Sequence, residues 1–132
     1  MPALKTFVEE IEVIHVYLAG IAVQCLHFLE EYLTGFQREY PQTLGIAPWS
    51  DRFFVTLNLA ALAIFVLAAL GLLLRWRIAY VVVWFFAIAM TGNGIVHPML
   101  SLWRGGYYPG TITAPLHLVV GLTLLAKLAR RK

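Results

Sequence analysis

The run from Phe53 to Leu74, FFVTLNLAALAIFVLAALGLLL, decides the fold of this chain. It carries no charged residue, and Thr56 and Asn58 are its notable polar interruptions. A bilayer core offers no water to backbone amides, so a spanning segment must satisfy them internally as a helix or a closed barrel. About 20 apolar residues suffice at 1.5 Å per helical residue. Three further stretches, 11–33, 78–103 and 111–128, have similar length and character. The expected architecture is therefore an all-α membrane protein: one domain over 1–132, a four-transmembrane-helix bundle running up-down-up-down.

Composition agrees. The chain is 61% hydrophobic and 13% charged, with a mean hydropathy of +0.77, whereas a soluble domain carries about 25% charged residues. The stretch 11–33 is the least clean, with Glu12, His15, Gln24, His27, Glu30 and Glu31. It does not read as a cleaved signal peptide, because Glu9, Glu10 and Glu12 make its leading region acidic and its apolar part is too long and too polar.

Charge sets the expected orientation. If four helices alternate, Lys5, Arg75, Arg77, Lys127, Arg130, Arg131 and Lys132 share one side, and Arg38, Arg52 and Arg104 the other. Positively charged loops stay cytoplasmic, so both termini are expected there, in a multi-pass protein of the plasma (inner) membrane. The basic C-terminal end then anchors topology, and no nucleic-acid partner is expected. Cys25 is the sole cysteine, which excludes an intrachain disulfide or a Cys-x-x-Cys redox pair.

Polar residues inside such spans are expensive, and by default they mark function. On this topology they meet at one level. His27, Glu30 and Glu31 occupy the last two turns of the first helix. His97 lies about 9 Å from the end of the third helix, His117 about 9 Å from the start of the fourth, and Asn58 about 8 Å into the second. Their faces agree as well: Tyr17, Gly20, Gln24, His27 and Glu31 follow a 3-4-3-4 spacing, as do Met90, Gly94, His97 and Ser101. His15 lies at the opposite depth. Gly92, Gly94 and Pro98 suggest a kink near Gly94 or a glycine surface for close helix packing.

Three motifs in order, His27-x-x-Glu30-Glu31, Asn93-x-x-x-His97 and Tyr107-x-Pro109-Gly110, resemble the HXXEE family of small integral membrane proteins. The resemblance implies a membrane protein with a polar site of catalytic or metal-binding character. It supplies no substrate.

The leading functional expectation is a membrane enzyme acting on a small or lipophilic molecule, with a divalent metal such as zinc. His27, His97, His117 and Glu31 are the expected ligands, because three protein ligands and an open position describe catalytic zinc. Glu31, Glu30, His27, Asn93 and His97 form the expected catalytic set. Gln24, Asn58, Tyr17, Tyr107, Tyr108 and Trp84 are expected to contact substrate or support the site. A two-iron site is disfavoured, since it needs about four carboxylates. Three alternatives remain open. The first is a metal-free acid/base isomerase or cyclase using paired carboxyls. The second is a proton-coupled small multidrug exporter, and the third is a bis-His haem protein. A homo-oligomer is compatible with all of them.

Overall fold

The computed structural model describes residues 2–131, with side chains from residue 8 to residue 131. Five helices follow in order: α1 Pro2–Thr34, α2 Phe36–Thr43, α3 Asp51–Leu73, α4 Arg77–Arg104 and α5 Ala114–Arg130. Among the described residues three helical stretches are long and apolar enough to cross a membrane: Val8–Thr34, Asp51–Leu73 and Arg77–Arg104. α5 has 17 residues, about 25 Å of helix. It begins three residues later than the expected 111–128, because Thr111–Thr113 form turns that close the preceding loop.

The connection between α1 and α3, which lies between two of the expected spans, contains α2. Gly35 breaks the chain direction with a left-handed φ of 87°, a conformation that costs a glycine nothing. α2 is pinned to the start of α3 by Gln37, whose Nε2 donates to Asp51 Oδ1 at 2.8 Å. α3 starts on Ser50, whose Oγ accepts from the Phe53 amide at 3.1 Å, the usual N-cap role of serine.

α1 packs on α3 and α5, and α4 packs on the same two helices. The contact of α4 with α5 is the most extensive, and glycine explains its closeness. A Cβ on Gly94 would lie 2.6 Å from the Leu118 amide nitrogen, and one on Gly121 would lie 2.5 Å from Thr91 Oγ1. α4 itself runs as one helix through Gly94 and Pro98. The glycine surface serves packing.

The apolar core gathers Val13, Tyr17, Ala69, Leu72, Val83, Phe86, Met90 and Leu124. Outside it lies a broad shell of exposed large apolar side chains, among them Leu67 at 61%, Phe85 at 64% and Val119 at 64%. Water would penalise that surface, and lipid tails solvate it.

The two ends of the molecule are charged differently. At one end Lys127 bonds Glu12 at 2.6 Å, while Arg131 and Arg75 approach Glu10 at 3.5 and 3.9 Å. At the other, Arg104 bonds Glu39 at 2.7 Å and Arg38 lies 3.7 Å from Asp51. The side chains of Lys5 and Lys132, which entered the charge count, lie outside the described residues.

Candidate functional site

The α2 end of the molecule holds a buried polar cluster. His27 and Glu31 sit one turn apart on α1, with His27 Nε2 3.3 Å from Glu31 Oε1. His97, from α4, brings its Nε2 to 3.4 Å from the same oxygen. His117, from α5, lays its ring against His27 at a centroid distance of 4.1 Å, and His97 meets His27 edge-on at 4.7 Å. His27 and His117 have no exposed surface, His97 has 3% and Glu31 has 6%.

The other ring nitrogens reveal where the protons are. His97 Nδ1 lies 2.6 Å from the Pro109 carbonyl oxygen. A carbonyl only accepts, so Nδ1 carries the hydrogen. His27 Nδ1 lies 2.6 Å from Thr113 Oγ1. That hydroxyl has one proton, and it faces Glu30 Oε2 at 2.6 Å. The proton goes to the carboxylate, so Thr113 accepts from His27 Nδ1–H. Both imidazoles, when neutral, therefore turn an Nε2 lone pair toward the Glu31 carboxylate. Three Lewis bases converge in a dry place, and His27 Nε2 has no hydrogen-bond partner.

Such a convergence could hold a cation. One proton on either imidazole would satisfy one of the two contacts and leave the other lone pair facing Glu31. Protons on both rings would put two positive charges in direct ring contact in a low dielectric. A metal answers all three bases at once. The ligand atoms of His27, Glu31 and His97 lie within 4.8 Å of one another. Donors about 2.0–2.1 Å from a tetrahedral zinc stand about 3.3–3.4 Å apart, which is the spacing of both carboxylate contacts. Each Nδ1–H is also held by an oxygen acceptor, as metal-ligating histidines require.

Glu30 has a different position from its neighbour. Its Oε1 accepts from the Tyr107 hydroxyl at 2.7 Å and the Ile112 amide at 2.9 Å, and its Oε2 accepts from the Thr113 amide at 2.8 Å as well as the Thr113 hydroxyl. It anchors the loop before α5 and orients Thr113. Burial first, then the Glu30 hydrogen bond, raises the Tyr107 phenol above its ordinary pKa, so it remains a donor. Tyr108 is buried and lies 3.3 Å from the Thr43 hydroxyl, and burial likewise raises its pKa.

The structure brings His27, Glu31, His97 and His117 together, but His117 does not belong to the three-atom ligand set. Neither of its nitrogens has a hydrogen-bond partner. Asn93 lines a cavity beside His97. Four other expected residues lie elsewhere. Tyr17 is a core residue whose hydroxyl donates to the Phe65 carbonyl at 2.9 Å. Asn58 donates back to the Phe54 carbonyl at 3.0 Å, and with Gln24 it lines a separate small void. Trp84 is 39% exposed and lines a cleft with Tyr80 and Arg131, thirteen residues or about 20 Å of helix from His97. For Tyr17 and Gln24 a matching face did not ensure matching depth, and for Asn58 a matching depth did not ensure a matching face. His15 bonds back to the Ile11 carbonyl at 2.9 Å, exposed and remote. The haem alternative meets a steric obstacle, because His27 is in ring contact with both other imidazoles and leaves no room for a macrocycle between them.

Thr113, Pro109, Gly110 and Phe36 were not among the expected site residues. Thr113 precedes Ala114-Pro115, and threonine just before a proline at the helix start is an N-terminal signal. It could have been noticed, though its hydroxyl serves Glu30 and His27 and caps no amide of α5. Gly110 has a φ of 89°, and a Cβ there would stand 2.5 Å from His97 Nδ1 and 2.8 Å from His27 Cε1. Phe36 covers His97 at a centroid distance of 5.4 Å.

The fold and site define an all-helical chain with membrane-length helices and a buried His/Glu cluster. The chain belongs to the family described as proteins of unknown function with an HXXEE motif, whose profile matches residues 18–125. No curated protein and no solved structure gives a match.

Proposed function

We propose that this chain is an integral membrane enzyme whose His27, Glu31 and His97 hold a divalent metal, zinc being the best fit, for chemistry on a small or lipophilic substrate. In this reading α5 is a short fourth span, both termini are cytoplasmic, and the site lies in the outer half of a plasma-membrane bundle. The observation that carries the reading is the pair of Nε2 lone pairs and the Glu31 carboxylate oxygen facing one another at 3.3 and 3.4 Å, with both Nδ1 atoms already committed as donors.

Charge supports it. A dication in a low dielectric needs about two negative charges nearby. Glu31 supplies one directly, and Glu30 supplies the other through Thr113 and the His27 Nδ1–H. When bound, the metal would polarise a carbonyl or phosphoryl oxygen, or lower the pKa of a bound water toward neutrality. Phe36 and the Pro109–Gly110 turn exclude bulk water. His117, buried with two unpartnered nitrogens, lies against the His27 ring beside the ligands.

Elemental analysis of detergent-purified protein tests this. Wild type is expected to carry about one metal ion per chain, Glu31→Ala and His97→Ala to lose it, and His15→Ala to keep it. Wild type that neither co-purifies with metal nor binds added zinc would reject the metal and leave acid/base chemistry at Glu31.

A further inference from the structure

A cavity of about 430 Å³ runs alongside the cluster and ends on it. Its floor is one stripe of α4, Ala89, Asn93, Val96 and Leu100, with His97 at the deep side. Its roof is Phe36 and Tyr40, one turn apart on α2, with rings stacked at 4.9 Å and 11°. From Ala89 to Leu100 the floor is about 16 Å long at 1.5 Å per residue. Its volume falls within the range of sites that hold a small ligand.

Two observations say what belongs there. The cavity opens sideways: Val96 is 45% exposed, and Ile88 at 59%, Ile95 at 47% and Met99 at 60% lie around it on the outward surface of α4. α4 is long and apolar enough to span a bilayer, so the entrance faces hydrocarbon. The Asn93 side chain, half-buried in the floor, makes no hydrogen bond to any described residue. A primary amide without a partner among acyl chains costs several kcal/mol, so the occupant must bring a polar group as well as a chain.

We infer that the cavity between α2 and α4 is a lateral entry site for a leaflet lipid, with the hydrocarbon chain along Ala89–Leu100 and a carbonyl or hydroxyl group at Asn93, beside the His97 ring. This inference rests on the reading of His27, Glu31 and His97 as the reactive centre. It makes the substrate an amphiphile whose polar group is carried on the chain, below the headgroups. Asn93 and His97 lie about 16 and 10 Å of helix from the end of α4, which is hydrocarbon depth.

The test uses the full chain in phosphatidylcholine vesicles containing a trace of phosphatidylcholine with a photoactivatable diazirine on one acyl chain. Cross-links are mapped by mass spectrometry, and zinc is measured on the same samples. Labelling of Phe36–Tyr40 and Ala89–Leu100 is expected to exceed that of the exposed α3 surface at Leu59–Leu67 by about tenfold, which corresponds to one decade in local affinity. Val96→Trp should reduce the excess to the α3 level, and Val119→Trp, on the exposed surface of α5, should leave it unchanged. Equal labelling of α3 and the cavity in wild type would overturn the lipid site. So would efficient cross-linking between copies through Val96→Cys in a Cys25→Ser background, since a second chain would then cover the opening. Zinc binding with uniform labelling rejects the cavity alone, and cavity labelling without zinc rejects the metal alone.

Discussion

Two adjacent carboxylates of identical chemistry, Glu30 and Glu31, have separate work at this site. Glu31 turns inward to two imidazole nitrogens, and Glu30 turns to the loop and sets Thr113 as an acceptor for His27. The arrangement predicts the outcome of Glu30→Gln. The new amide N–H can donate to Thr113, which frees the threonine proton for His27 Nδ1 and moves the ring hydrogen to Nε2. Zinc affinity should fall by about 10–100-fold, the usual effect of losing such an outer partner, while Glu30→Asp retains part of it. Zinc titration gives the affinity, and ¹⁵N shifts of His27 report the tautomer. Unchanged affinity with a switched tautomer would reject the ligand role of His27. Gly110→Ala should destabilise the protein by about 1–3 kcal/mol, because it forces a side chain into left-handed backbone against His97. Thermal unfolding measures this.

At the scale of elements, the site depends on how closely α4 and α5 approach. α4 carries His97, and α5 carries His117 and follows Thr113, yet the helices meet through glycine. Gly94→Ala would place a Cβ 2.6 Å from the Leu118 backbone, where nothing flexible can yield. The expected cost is about 1–3 kcal/mol of overpacking, together with loss of metal although no polar atom is removed. Gly92, two residues earlier on another face of α4, has nothing within 4 Å of its missing Cβ. Gly92→Ala should therefore leave both unchanged. Denaturation in detergent and metal analysis separate the two variants. Equal behaviour would mean that the α4–α5 contact does not set the site.

For the whole molecule, the distribution of charge predicts sidedness. The end with Arg75, Lys127 and Arg131 belongs in the cytoplasm by the positive-inside rule, and the loop Arg104–Gly110 belongs outside. Gly106 has open space around it, so Gly106→Cys in a Cys25→Ser background suits labelling with a membrane-impermeant maleimide. Labelling of intact cells from outside is expected. Reaction only after the cytoplasmic face is opened would invert the topology and place the site in the inner half.

The sequence by itself determined the helical class, the membrane-length segments and the identity of the costly residues, because hydropathy and helical periodicity are local properties. The motif spacing also selected His27, Glu31 and His97, since intramembrane ionisable groups are rare enough to stand out. Local periodicity could not distinguish Tyr17 from site residues, because a stripe records direction around a helix but not distance along its neighbours. Nor could it assign different partners to Glu30 and Glu31. Only the tertiary structure did so, by closing the loop 107–113 over the imidazoles and supplying Pro109, Gly110 and Thr113 across a sequence separation of up to 86 residues. Those contacts depend on where the ends of α1, α4 and α5 come to rest, and that is decided by glycine packing between helices.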